Sequence, residues 1–267
     1  MRAYKAIFKL RLQLGLQYRT AAIAGMCTQL FWGLMIIMVF EAFYSQSLSE
    51  PPLPFEQLVT YMWLQQAFLT FVMLWYRDTE IFNLITTGNI AYELCRPCGI
   101  YGFWYAKLLA QRLSGAILRC SPLLVIAFLL PDPYRLSLPP DWRAMLLFLT
   151  TLILGLLVLV GISMLLYISV FYTMSPTGSM LIFAVAGEFF AGLIIPIPFM
   201  PSWLQQLAYA LPFRLSADLP FRVYSGHIPV HEALSGIGVQ LAWLAVLLAG
   251  GYGWLRLALK RVVIQGG

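Results

Sequence analysis

The stretch Ala144–Thr173 runs for thirty residues without one charged side chain. Crossing about 30 Å of hydrocarbon takes about 20 mostly apolar residues in a helix. A run of this length is more than a single soluble core can hide, and further runs of the same kind follow along the chain. Of the 267 residues, 61% are hydrophobic and 10% charged, against about 45–50% and about 25% in soluble domains. So few charges cannot cover a surface facing water. A soluble enzyme, a disordered chain and a secreted disulfide scaffold are therefore excluded, and the sequence reads as one integral membrane domain over 1–267.

Six spans are expected, at Ala21–Tyr44, Leu58–Tyr76, Gly102–Leu130, Ala144–Thr173, Ser179–Ile195 and Gly236–Arg256. The runs are continuously apolar. A barrel wall would alternate with period two, so helices are expected, giving an all-α polytopic fold. Basic residues set the orientation. Arg2, Lys5, Lys9, Arg11 and Arg19 precede the first span, Arg77, Arg96 and Lys107 lie about the second loop, and Arg256, Lys260 and Arg261 follow the last. That is eleven on one side, against Arg135, Arg143, Arg214 and Arg222 on the other. The positive-inside rule puts both termini in the cytoplasm of a multi-pass cell (inner) membrane protein. The net charge of +6 thus reflects topology and points to no nucleic-acid partner. The basic start lacks a short h-region and an A-x-A-like site, so no cleaved leader is expected.

Residues 1–20 read as an interfacial helix on the inner leaflet. Tyr4, Ile7, Phe8, Leu14 and Tyr18 form its apolar side; Arg2, Lys5, Lys9 and Gln13 form its polar side. Arg11 breaks the apolar side. Residues 77–99 are too polar to span and too apolar for a free linker. Asp78 or Thr79 is a candidate helix cap, and Gly88 and Pro97 punctuate the segment. Its stretch Asn89–Arg96 is helix-competent and offers Tyr92, Glu93 and Arg96 to a partner; a plain return loop is the alternative. Residues 196–235 carry Pro196, Pro198 and Pro201, then the broken apolar run Trp203–Phe213. A run of about 10–14 apolar residues suits a re-entrant or interfacial piece. A helical hairpin dipping in from outside is expected, with Trp203 and Tyr209 at headgroup level.

Catalytic motifs are missing. The four lysines are Lys5, Lys9, Lys107 and Lys260, and none follows glycine as a P-loop requires. No G-x-S-x-G elbow or H-E-x-x-H occurs. His227 and His231 are separated by Pro229, which disfavours one helix presenting both. Cys95 and Cys98 lack the second pair that a zinc site needs. Cys27 and Cys120 read as small hydrophobes. The chain is expected to have no enzymatic activity, metal or cofactor of its own.

Charges inside spans are costly and face protein or water. Arg112 and Arg119 are seven apart, so they share a face of the third span, and Arg112 is placed to snorkel toward the inner surface. Arg119 and Glu188 are candidates for interior charges flanking a pathway, paired with each other or with a partner subunit; a purely structural pair is the alternative. Ala245, Ala249 and Gly253, and likewise Gly187 and Ala191, are candidate packing seams between helices or between subunits.

The order of these parts resembles the permease subunits of type-2 ABC exporters, in the short branch of ABC-2 family transporter proteins. The residues that carry the resemblance are Gly88–Pro97, Phe190–Pro201, Leu211–Arg214 and the basic tail Ala258–Val262. The resemblance implies a second permease, the same or a related chain, and two separate ABC ATPase subunits that bind ATP and Mg. It implies that Glu80, Tyr92, Glu93 and Arg96 belong to a coupling helix seated on the ATPase. It also implies that Pro196, Pro198, Pro201, Trp203 and Phe213 cap the outer end of the pathway. Alternatives are an ATP-independent channel or secondary transporter, an intramembrane enzyme, and a non-transporting membrane scaffold.

Overall fold

The computed structural model describes residues 2–17, 19–46, 50–75 and 77–261, without the side chains of residues 19 and 21. Tyr18, Tyr76 and Val262, which figure in the expectations above, lie outside them. Among the described residues the chain is all helical, with no strand.

The N-terminal helices are α1 (Arg2–Gln17) and α2 (Arg19–Gln46), followed by α3 (Phe55–Ala67) and α4 (Leu69–Val72). Two short helices come next, α5 (Thr79–Thr86) and α6 (Ile90–Leu94). The two long helices α7 (Ile100–Leu129) and α8 (Trp142–Thr173) follow, and then α9 (Pro176–Phe190). The short α10 (Ser202–Ala210) and α11 (Asp218–Tyr224) precede the last long helix, α12 (Val230–Leu259).

Four helices are long and apolar enough to cross a membrane: residues Ala22–Gln46 of α2, and α7, α8 and α12. The second expected span divides into α3 and α4 at Phe68. The fifth is the 15-residue α9, shorter than the seventeen expected residues and shifted toward the N-terminus. Its end is dictated by Gly192, at φ +79°. The Gly192 N–H reaches the Phe189 carbonyl and the Leu193 N–H reaches that of Glu188, at 3.1 and 3.0 Å. That pair of bonds closes a helix on a left-handed glycine. A side chain at Gly192 would also meet the Tyr61 hydroxyl.

α8 is the central pillar. It packs lengthwise on α12 and also touches α4, α5, α7, α9 and α11, and its middle is buried almost without interruption. The polar atoms it does carry are used. Gln240 of α12, fully buried, donates to the Thr151 carbonyl at 2.7 Å and the Leu215 carbonyl at 2.9 Å. The 3₁₀ turn Phe213–Ser216 reaches the middle of α8, where a Cβ on Gly155 would stand 2.6 Å from the Leu215 carbonyl oxygen. The segment between α9 and α12 therefore folds back into the bundle.

α1 runs alongside the first half of α7 in the same direction: Tyr4 meets Gly99 and Gly102, and Gly15 meets Ser114. Of its expected apolar side, Tyr4 and Ile7 pack on the core, whereas Leu14 is exposed. Arg11, the residue that breaks the pattern, sits on the protein-facing side because a carboxylate awaits it there.

Candidate functional site

The connection from α4 to α7 is held by a small set of charges. Asp78 caps α5, accepting from the N–H groups of Glu80 and Ile81 at 2.9 and 3.2 Å, which satisfies two donors that a helix start leaves orphaned. The other oxygen of Asp78 faces Lys107 of α7 at 3.1 Å. The Lys107 ammonium also donates to Glu80 at 2.9 Å. The side chains of Lys107 and Asp78 are only 3% and 4% exposed. Arg11 of α1 pairs with the same oxygen of Glu80. The backbone N–H of Asp78 donates to the Tyr167 hydroxyl of α8 at 2.6 Å, and Phe82 lies against the Tyr167 ring at 4.7 Å. One capped helix is thereby tied to α1, α7 and α8 at once. Partial burial pushes the Glu80 carboxyl up, but the hydrogen bonds from Lys107 and Arg11 outweigh it and hold the pKa below the ordinary value.

α6 carries the next part. Tyr92 projects from it, 75% exposed. Glu93 does not project: it is buried and pairs with Arg96 at 2.9 Å across one helical turn. The Arg96 guanidinium in turn lies 4.8 Å above the Phe103 ring. The expectation that Tyr92, Glu93 and Arg96 are all offered to a partner is corrected in this respect. The Glu93 carboxylate is engaged internally because an arginine three residues on can reach it.

Other expected residues fall elsewhere. Arg112 does not snorkel: it is 2% exposed, and donates to the Met73 carbonyl at 2.7 Å and the Ser163 hydroxyl at 3.1 Å. It thereby satisfies a carbonyl freed where α4 ends. Arg119 lies over Gly25 on the α7–α2 seam, while Glu188 of α9 lies near Trp75. No ion pair joins them among the described residues, since they sit on different seams. Gly187 and Ala191 are buried within the chain, Gly187 under Leu74 and Phe213. Ala245, Ala249 and Gly253 face outward from α12.

In the segment 196–235, Pro196 is buried and Trp203 is 67% exposed. The Pro198 carbonyl accepts from Gln205 at 3.2 Å. Pro201 precedes α10, and Phe213 stacks on Phe190 at 6.4 Å. His227 meets Gln57 at 3.2 Å, apart from the exposed His231. All four cysteines are free thiols.

The sequence pointed to Asp78 as a cap, but not to its pairing with Lys107 or to the roles of Lys107 and Arg11. A signal was present: a lysine within the third expected span and an arginine on an apolar face are each expensive unless a carboxylate is near. Compared with protein-family models and with curated proteins, the chain matches none of either.

Proposed function

We propose that this chain is the membrane-spanning permease subunit of an ATP-driven type-2 ABC exporter, pairing with a second permease and coupled to separate ATPase subunits through α5 and α6. In this reading the bilayer is crossed six times, by α2, α3 with α4, α7, α8, α9 and α12. Both termini and the α5–α6 connection lie in the cytoplasm, as the basic residues favour. Residues 196–235 form a re-entrant hairpin at the outer end, in keeping with the Leu215 carbonyl lying against Gly155. Exposed Arg2, Lys5 and Lys9 of α1 face anionic headgroups of the inner leaflet.

The observation that carries the reading is the strap at Lys107. A short helix pair that presents an exposed tyrosine, yet is ion-paired to α1 and α7 and hydrogen-bonded to α8, can pass a displacement into the bundle. The absence of Gly-Lys from the sequence agrees with nucleotide chemistry on another chain, where ATP and Mg would bind. Nucleotide must stabilise one permease arrangement over the other for this to move cargo. Tyr92 is then the residue in contact with the ATPase, and Glu93 and Arg96 set the angle of α6.

The test is co-expression with candidate P-loop ATPases, followed by purification and ATPase measurement in membranes. A stable complex is expected, in which Tyr92→Ala abolishes substrate-stimulated hydrolysis while the permease still inserts. Unchanged coupling in that variant would remove α6 from the role. Cargo movement by the purified chain alone would overturn the reading.

A further inference from the structure

At the end of the bundle away from α5 and α6 lies a second group of charges, which the proposed coupling role does not use. A cavity of about 140 Å³ opens between α11 and α12, lined among others by Tyr209, Arg214, Leu219, Arg222, Glu232 and Val239. Arg222 is 9% exposed; its Nη1 donates to the Tyr209 hydroxyl at 2.9 Å and to Asp218 at 3.3 Å. Asp218 is completely buried. Arg214 lies 4.3 Å over the Tyr209 ring. Among the described residues Arg214 forms no ion pair, although it feels the Asp218 charge.

Three polar atoms here are buried without a hydrogen-bond partner among the described residues: Nε of Arg214, Nε of Arg222 and Oδ1 of Asp218. A buried donor left unmade is costly, and a buried charge more so. One buried carboxylate, Asp218, thus serves the two guanidiniums that line the cavity. The remaining carboxylate, Glu232, stands on the rim with its side chain 60% exposed, 3.8 Å from His231. Leu219 and Val239 form an apolar side, and the same face of α12 continues apolar through the exposed Val246, seven residues after Val239. A cationic floor beside an apolar surface matches a molecule that is anionic at one end and greasy at the other.

We propose that this cavity binds the phosphate group of an amphiphile, with Arg214 as the principal ligand, Arg222 as the second, and the hydrocarbon chain lying on the apolar side of α12. The guanidinium of Arg214 is held over the Tyr209 ring, and an arginine fork suits a tetrahedral oxyanion. The inference is independent of the α5–α6 reading, which concerns the opposite end of the molecule.

The experiment uses the full chain purified in an uncharged maltoside detergent, titrated with dodecyl phosphate and followed by thermophoresis. Saturable binding is expected, with little response to dodecyltrimethylammonium. Arg214→Gln should weaken it about tenfold or more, the scale of a charge-assisted hydrogen bond. Glu232→Gln, at an exposed position, should strengthen it about twofold by removing a like charge. Should Arg214→Gln not purify as a monodisperse protein, Arg214→Lys keeps the charge and loses the fork, and is expected to bind severalfold more weakly. Equal affinity in the parent and the Arg214 variant would overturn the site. Inorganic phosphate binding as tightly as dodecyl phosphate would overturn the amphiphile as its ligand.

Discussion

The two ends of this bundle both bury charge, and they do so in different ways. At the α5 end, Lys107 lies between Asp78 and Glu80, Arg11 adds a second cation to Glu80, and Asp78 meanwhile caps a helix. At the other end, the one buried carboxylate among the described residues, Asp218, is shared by Arg222 and, more distantly, Arg214. A network whose charges are matched fixes the angle between the elements it joins. A network with one carboxylate for two guanidiniums leaves attraction unused. The contrast separates a mechanical joint from the proposed binding site even though both combine basic side chains with carboxylates.

The largest effect that would break the contrast is expected from Lys107→Met. It leaves Asp78 buried without its cation, and removing one partner of a buried pair costs about 3–5 kcal/mol. Thermal unfolding and proteolysis of the α5–α6 connection should both register it. Asp78→Asn, which keeps the cap, should be milder. Loss of stability no greater for Lys107→Met than for a surface lysine such as Lys260→Met would show that the joint is not held by charge.

Next comes Gly155→Val. Its Cβ meets the backbone of Leu215 and Ser216, which cannot swing away as a long side chain can. A cost of about 1–3 kcal/mol is expected for overpacking, together with displacement of the turn Phe213–Ser216 that carries Arg214. Hydrogen exchange should show the change confined to residues 211–224, with α5 and α6 undisturbed.

A smaller effect follows from Glu80. Its folded pKa lies below the ordinary value, so its contribution is present above the unfolded pKa and is lost as pH falls through the folded one. Stability should therefore decline on acidification below about pH 4.3, and Glu80→Gln should flatten that part of the profile. Because Glu80 is half exposed, the change in midpoint is expected to be small and to shrink in high salt. A parallel acid limb in the variant would assign the titration to another carboxylate.

The smallest effect on stability is expected from Tyr92→Ala. An exposed side chain that touches little stays within about 0.5 kcal/mol. Unfolding should be unchanged while the proposed coupling to an ATPase is lost, which would sharpen the difference between the charges that build the joint and a residue proposed to use it.

Much of the fold was legible from residue order. The apolar runs expected at residues 21–44, 102–130, 144–173 and 236–256 became long helices and Asp78 became a cap, whereas the stop that Gly192 imposes on α9 before Ile195 was not read from the run. Less of the candidate site was legible. Tyr92 could be read as exposed from the mixed polarity of its segment, but Glu93 could not be read as buried. Arg112 and Arg119 share a helix face in the sequence, yet one is enclosed by Met73 and Ser163 and the other lies over Gly25. Nothing local distinguishes them, because each environment is made by helices far away along the chain.

What the residues determined unaided was the solvent in which this chain folds. Length and apolarity of a run act locally, and a bilayer demands that each crossing satisfy its own backbone. What only the tertiary structure decided was the partner of each charge. Arg11 and Glu80 are 69 residues apart, and Lys107 and Glu80 27. Whether such groups neutralise each other depends on which helices lie side by side, since Coulomb attraction counts for several kcal/mol at contact in a buried site and little a few ångströms away in water.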